Sequence, residues 1–177
     1  ISSDVLIVFA LQVKNKDKSE VKPLKSFKDV DNKLKGSLLK AVNSSGFDGK
    51  RGEILKFYPE SDELTNCIIV AGLGELNKIK PDDLRRVAGK VIKSIHGSVN
   101  SISLQIPAEE IDVDIKLASQ MIAEGLILGD YDFKKYKTEK EKKELSTIIL
   151  SSSEIKITKE GINLGRLYSE ATIVTRD

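Results

Sequence analysis

Short apolar runs alternate along this chain with longer segments of helical periodicity, and this alternation constrains the fold more than any other feature of the sequence. The runs are rich in β-branched residues and have the length of buried strands. Strands are predicted over 5–13, 53–58, 67–71, 101–106 and 147–150, and helices over 28–42, 81–95, 114–128 and 158–175. This alternation indicates an α/β fold with a mixed, mostly parallel sheet covered by helices on both faces.

Two of the predicted helices, 114–128 and 158–175, have a spacing that predicts which residues face the core. The buried stripes are predicted from Ile115, Ala118, Ile122 and Leu126 in the first helix, and from Ile162, Gly165, Tyr168 and Ala171 in the second. The lysine-rich segment 14–28, between the first strand and the first helix, is predicted as a connection.

The length and composition predict a single domain over 1–177, since 177 residues are enough to bury a substantial core. Apolar residues make up 40% of the sequence and charged residues 32%, as in globular proteins. The net charge of +2 gives no electrostatic argument for nucleic acid as the main partner. The longest apolar run, 5–11, is too short to cross a membrane, and a single cysteine fits a reducing compartment, so a cytoplasmic location is expected.

The segment NCIIVAGLGELNKIKPDDLRR, residues 66–86, raises the question of a nucleotide site, because a strand, two glycines and a helix follow one another. A dinucleotide-binding turn requires a third glycine where this chain has Asn77, and its helix opens directly on the glycines. Here the helix is predicted to begin later, at Pro81, and Glu75 would place a carboxylate beside any phosphate. The segment therefore predicts a buried strand and a tight turn.

Few side chains form a pattern that predicts chemistry. The only histidine, His96, is expected to cap the end of a helix, and Cys67 is expected to be a small core residue. One histidine and one cysteine do not make a zinc site with nitrogen and sulfur ligands. Four carboxylates lie close together in the sequence, at Glu109, Glu110, Asp112 and Asp114. Their position just before a helix favours capping over metal binding.

Three motifs follow one another along the chain: SGFDGKRGEILKFYP from residue 45, IIVAGLGELNKIKPDDLRRVAGKVIKSI from residue 68, and IAEGLILGDYDFKKYKTEKEKK from residue 122. In this order they resemble the N-terminal domain of the leucine (cytosol) aminopeptidases, at residues 46–53, 72–74 with 84–89, and 124–137. The last helix, which runs into Arg176 and Asp177, is similar to the helix that connects this domain to the next one in that family.

This resemblance implies a macro-domain-like, three-layer α/β/α fold and assigns the chemistry to another part of the protein. Family members are metallo-exopeptidases that remove N-terminal amino acids, preferably leucine, from peptides with the help of two metal ions, manganese or zinc. Their metal ligands and peptide site lie in a C-terminal catalytic domain that is absent here, so no catalytic, metal-binding or cofactor-binding residue is assigned in 1–177. Residues 158–177 are expected to lead to that domain within a cytoplasmic homo-hexamer, and this fragment alone is expected to be inactive.

Two other functions remain open from the sequence. A free-standing macro-like module would bind ADP-ribose or a related nucleotide, although the glycine turn lacks the features of such a site. An accessory DNA-binding role would use the lysine-rich segments 14–28 and 134–143, where interleaved glutamates weigh against strong binding.

Overall fold

The computed structural model describes residues 3–15, 18–60, 64–95, 99–131 and 146–176. In chain order its elements are β1 (Val5–Asn15), β2 (Lys18–Pro23), α1 (Lys25–Lys33), α2 (Ser37–Ser44), β3 (Ile54–Phe57), β4 (Cys67–Gly72), α3 (Pro81–Ser94), β5 (Ser101–Gln105), α4 (Ile115–Asp130), β6 (Thr147–Ser151) and α5 (Ile155–Arg176). Short 3-10 helices at Leu76–Lys78 and Ala108–Ile111 precede α3 and α4. The predicted α/β class is confirmed.

The strands form one mixed sheet in the order β3-β4-β1-β5-β6, with β2 paired to the far end of β1. The four strands β4, β1, β5 and β6 are parallel, whereas β3 and β2 run antiparallel to their neighbours. Val5 of β1 lies opposite both Cys67 of β4 and Ile102 of β5, so β1 is the central strand. Residues 7–11 are at most 2% exposed, as their continuous apolar run predicts.

Helices cover both faces of the sheet because β1 is apolar on both. On one face, Ile7 and Phe9 pack against residues of α3 and α4. On the other face, Val8 and Ala10 pack against α1 and α2, and Phe27 of α1 is fully buried in this layer. The result is the α/β/α layering that the alternation of elements predicts. Among the described helices, none has both the length and the apolar composition needed to cross a membrane.

The prediction of one helix over 28–42 is wrong, since the structure has two shorter helices, α1 and α2, in this region. The break falls at Lys35 and Gly36, whose φ angles of 52° and 83° lie in the left-handed region. Asp31 then accepts a 2.9 Å hydrogen bond from the N–H of Leu39, which ties α2 to α1. The apolar spacing continues across the break, and periodicity alone therefore predicts a single helix.

The prediction of a connection over 14–28 is also incomplete, because this segment contains β2. β1 continues to Asn15 and pairs with β2 in antiparallel register, so that Asn15 lies opposite Lys18 and Ala10 opposite Pro23. Within β2, Val21 is half-buried and packs against the core of α1 and α2, while Lys22 is exposed. Lysine is common on exposed edge strands. A lysine-rich segment can therefore form a strand even though its composition resembles that of a loop.

Glycines bring α3, α4 and α5 into close contact side by side. A Cβ atom on Gly125 of α4 would lie 2.2 Å from the carbonyl oxygen of Arg85 in α3. A Cβ atom on Gly161 of α5 would likewise lie 2.2 Å from the carbonyl oxygen of Lys116 in α4. Any larger side chain at these two positions would push the helix backbones apart. α4 is therefore held tightly between α3 and α5.

The buried face of α5 differs from the predicted one. Gly165 is buried as predicted, but Tyr168 is 56% exposed and Ala171 is exposed. The buried side is formed instead by small residues that include Gly161 and Ser169. A helical face is predicted from the spacing of its apolar side chains. Here the buried face is determined by the close approach of two helix backbones, which requires small residues and leaves no apolar spacing in the sequence.

Candidate functional site

The turn that follows β4 lies at the carboxyl end of that strand, the edge of the sheet at which α/β proteins commonly bind ligands. Its three successive amides are all used within the chain. Gly72 N donates to the carbonyl of Glu53 (2.8 Å), Leu73 N to that of Ala10 (2.9 Å) and Gly74 N to that of Gly49 (2.9 Å). A phosphate site in a glycine turn is built from free N–H groups, and these three N–H groups are already used within the chain.

The space beside the turn is filled by the loop that precedes β3. A Cβ atom on Gly72 would lie 2.2 Å from the carbonyl oxygen of Lys50, so no larger residue fits. Gly52 N donates a 2.8 Å hydrogen bond to the carbonyl of Gly72. Gly49, with a φ of 73°, lies so close to β1 that a Cβ there would be 2.7 Å from the carbonyl oxygen of Leu11. These glycines therefore let two loops pack on each other where a ligand would otherwise bind.

We call this contact the glycine junction, formed by Gly49, Gly52, Gly72 and Gly74, and Glu53 holds its outer loop in place. Oε2 of Glu53 accepts hydrogen bonds from the backbone N–H of Asp48 (3.0 Å) and of Lys50 (2.9 Å). The Lys50 ammonium pairs with the Asp48 carboxylate at 2.6 Å, and this hydrogen bond raises the pKa of Lys50. The glutamate that ends the motif is therefore occupied by the loop's own amides.

The amino end of α3 faces a carboxylate of its own chain. Asp83 is 6% exposed, and its Oδ2 accepts a 2.8 Å hydrogen bond from the N–H of Lys80. Nη1 of Arg51 lies 3.2 Å from Oδ1 of Asp83, and Nη2 of Arg51 donates to the Lys78 carbonyl at 3.0 Å. Arg51 therefore joins the glycine junction to the start of α3.

Two further carboxylates, Glu75 and Asp82, neutralise the cations near the turn. Glu75 pairs with Lys14 at 2.7 Å and with Lys78 at 2.9 Å, and hydrogen bonds from these two lysines lower the pKa of its carboxyl group. Asp82 pairs with Arg86 at 2.6 Å, and the hydrogen bond from Arg86 lowers the pKa of Asp82. Carboxylates of the chain therefore already pair with Lys14, Lys78 and Arg86 beside the glycine junction.

Three of the four clustered carboxylates before α4 bind neighbouring groups of the protein. The hydrogen bonds run from Lys25 N to Glu110 (2.7 Å), from Leu117 N to Asp114 (2.9 Å) and from the Ser153 hydroxyl to Glu109. The capping role predicted for Asp114 is confirmed, because it is the N-cap of α4. Within the described ranges, no three His, Cys, Asp or Glu side chains come together in a way that could hold a metal ion.

Cys67 lies in the core as predicted, and it is only 9% exposed. Burial raises the pKa of its thiol, which makes it a weak nucleophile at neutral pH. Cys67 borders a cavity of about 300 Å³ together with Lys56 and Tyr58. The Lys56 ammonium donates to the carbonyl of Ser94 at the carboxyl end of α3, where a cation complements the helix dipole. His96 and segment 134–143 lie outside the described residues.

The sequence did not reveal two buried carboxylates that hold elements together. One is Asp83, and the other is Glu124 of α4, which is 6% exposed. Glu124 accepts a 2.8 Å hydrogen bond from Gln120 and lies 3.7 Å from Nη1 of Arg85 in α3. The sequence shows Glu124 as an acid among the apolar residues of α4 and as the first residue of the range 124–137 in the third motif, but its contact with Arg85 joins two distant segments.

Two comparisons of sequence place the chain among known proteins. A family model described as the cytosol aminopeptidase family, N-terminal domain, matches residues 5–140. A probable cytosol aminopeptidase of Aquifex aeolicus is 33% identical over 162 residues, which cover 89% of this chain and 31% of that protein. A probable cytosol aminopeptidase of Alkaliphilus metalliredigens is 30% identical over 165 residues, which cover 87% of this chain and 33% of that protein. The chain thus spans about a third of the length of these relatives.

Solved structures with the same fold come from two enzymes. A variant of tomato leucine aminopeptidase matches with a TM-score of 0.74 and 17% identity, over 98% of this chain and 34% of that one. The bottromycin maturation enzyme BotP matches with a TM-score of 0.64 and 16% identity, over 93% of this chain and 30% of that one. At these identities the likeness concerns the fold alone.

Proposed function

The chain belongs to the cytosol aminopeptidase family as its N-terminal domain, and we propose that it serves a metallo-aminopeptidase as a non-catalytic domain. The observation that carries this proposal is the match of the family model to residues 5–140, beside a glycine junction whose amides and space are used internally. The relatives and the structural neighbours support this interpretation and not a free-standing nucleotide-binding module.

The reaction of the whole enzyme is the removal of N-terminal amino acids, preferably leucine, from peptides. Two divalent metal ions, manganese or zinc, would supply an activated water and polarise the scissile carbonyl. The described residues of this chain do not fit such a metal pair, since they bring no three carboxylate, imidazole or thiolate ligands together. One structure of the enzyme BotP is a complex with manganese, which supports a metal ion in the whole enzyme.

The domain would act through its surfaces. We propose that residues 1–177 form one macro-domain-like unit whose last helix, over 158–177, leads to the catalytic domain. The full-length enzyme would be a cytoplasmic homo-hexamer that binds its peptide substrates outside this domain. The absence of a membrane-spanning helix in the described residues is compatible with that location.

Hydrolysis of leucine p-nitroanilide, measured for the 177-residue chain and for the full-length protein, tests this proposal. With added Mn²⁺ or Zn²⁺, the chain alone is expected to give no turnover above the metal-only blank. The full-length protein is expected to hydrolyse the substrate and to lose this activity on chelation. Metal-dependent turnover by the purified 177-residue chain would contradict the proposal, and so would an inactive full-length protein that binds no divalent metal.

A further inference from the structure

The outward face of α5 changes character half way along the helix. Positions three or four residues apart share one face of a helix. In the first half of α5 this face is polar, with Lys156, Glu160 and Asn163, as expected for a helix in water, and Ile155 at the start of the helix is a single exposed apolar residue beside it. In the second half it is formed by Leu167, Ala171 and Val174.

Large apolar side chains remain uncovered in this second half. Leu167 is 61% exposed and Val174 is 75% exposed, and Tyr168 beside them is 56% exposed. We call these three residues, with Ala171, the outer patch. Single exposed apolar residues are ordinary, but several on one face of two successive turns mark a surface that another part of a protein covers.

The opposite side of α5 prevents the helix from turning the outer patch inward. Cβ atoms on Gly161 and Gly165 would lie 2.2 Å from the Lys116 carbonyl oxygen and 2.6 Å from the Gln120 carbonyl oxygen, both in α4. Rotation of α5 would bring side chains into these contacts in place of glycines. The helix is therefore fixed in orientation, and its outer patch points to solvent in this chain.

We infer that the outer patch is the surface on which the catalytic part of the full-length protein packs against this domain. The inference rests on the proposed function. The chain spans about a third of the length of its relatives, and α5 is its last element, so the segment that follows is tethered beside the patch. A tethered partner has a high effective concentration, and a small patch can hold it.

The chemistry of the patch indicates the kind of surface that covers it. Arg166 and Glu170 flank the patch and pair with each other at 2.7 Å, which leaves no net charge there. The complementary surface is therefore apolar, with an acceptor or donor for the Tyr168 hydroxyl, as is common where tyrosine lies at interfaces. Because the glycines fix α5 to α4, this contact would set the orientation of the two domains rather than leave a flexible link.

A matched pair of double variants in the full-length protein tests the inference. Leu167→Asp with Val174→Asp charges the outer patch, and Lys156→Asp with Asn163→Asp places two aspartates at the same spacing on the polar half of the same face. Charged groups in a covered apolar surface weaken the contact between the domains and expose the chain that joins them. The patch variant is therefore expected to be cleaved between the domains about tenfold faster by subtilisin under native conditions. The polar-half variant is expected to be cleaved at the rate of the unmodified protein. In the 177-residue chain, the patch variant is expected to lower the melting temperature by only about 5 °C, because aspartate is a weaker helix former and Val174 lies in the last turn of α5.

Several results would overturn the inference. Equal cleavage of the two full-length variants would mean that the outer patch is uncovered in the enzyme. A fall of about 15 °C or more in the melting temperature of the 177-residue chain with the patch variant would assign these residues to the domain's own packing. A chain that sediments as a dimer and becomes monomeric with the patch variant would make a second copy the occupant. Failure of the proposed function is read separately, from the activity of the unmodified full-length protein.

Discussion

In the glycine junction the sequence raises the question of a binding site and the structure shows two loops packed on each other, whereas in the outer patch the sequence suggests no such site and the structure shows an exposed apolar surface. The glycine junction carries a motif typical of ligand sites, yet its amides donate within the chain and its space is filled by a neighbouring loop. The outer patch carries no motif, yet it leaves Leu167 and Val174 open to solvent. A glycine motif shows that something must approach the backbone closely, and only the structure shows that the approaching group is the chain itself.

The largest effect is expected from Gly72→Ala, which tests whether the glycine junction is closed. Gly72 needs no positive φ, so its cost is steric: the new Cβ would meet the Lys50 carbonyl oxygen at 2.2 Å, and a backbone atom does not move aside easily. We expect a loss of about 3 kcal/mol in the free energy of unfolding, measured by urea denaturation.

Gly46→Ala is the matched control for this change. Gly46 has a φ of 76° but open space around its Cβ direction, so the expected loss of about 1 kcal/mol comes from backbone strain alone. Similar losses in the two variants would mean that the loops are not packed as tightly as described.

A smaller effect is expected from Gly161→Ala, which tests the lock between α4 and α5. Contact with the Lys116 carbonyl oxygen opposes the new methyl group, but α5 has solvent on its other side and alanine favours the helix. We expect a loss of about 2 kcal/mol in the free energy of unfolding. The exposed Asn163→Ala serves as the control and is expected to cause no loss. A stabilised Gly161→Ala variant would show that α5 is not held against α4 by this contact.

The smallest effect is expected from Arg51→Met, which removes the ion pair with Asp83 and the hydrogen bond to the Lys78 carbonyl at the glycine junction. The arginine side chain is 44% exposed, and Asp83 keeps its hydrogen bond from the Lys80 N–H, so the loss in unfolding free energy should be about 1 kcal/mol. Lys50→Met, next to it in the loop, is expected to leave the urea midpoint unchanged, because its pair with Asp48 lies on the surface. If Lys50→Met lowered the free energy of unfolding as much as Arg51→Met, the contacts of Arg51 would stabilise the junction no more than an ordinary surface ion pair.

The strands and long helices could be predicted because their residues carry local patterns. The β-branched run in β1 and the spacing in α4 fix these elements independently of their neighbours. The break between α1 and α2 escaped prediction because it depends on the left-handed backbone at Lys35 and Gly36 while the apolar spacing continues. β2 escaped because its partner is the far end of β1, and its six residues, KSEVKP, contain only one large apolar side chain to indicate a strand.

The candidate site was predictable only in part, for the same reason. The missing third glycine and Glu75 already argued against a phosphate site. The sequence could not show that the loop around Lys50 fills the turn, nor that Arg51 reaches Asp83, because these contacts join distant segments. The face of α5 was misassigned at Tyr168, since contact between backbones at Gly161 and Gly165 outweighs side-chain hydrophobicity there.

Hydrogen–deuterium exchange tests the contrast between the two regions most directly, when the 177-residue chain is compared with the full-length protein at residues 70–74 and 164–176. We expect slow exchange at 70–74 in both proteins, because β4 is paired on both sides and the amides of residues 72–74 donate within the chain. At 164–176 we expect exchange about tenfold slower in the full-length protein, because the outer patch is covered there. Equal exchange at 164–176 in the two proteins, or fast exchange at 70–74 in either, would contradict this account.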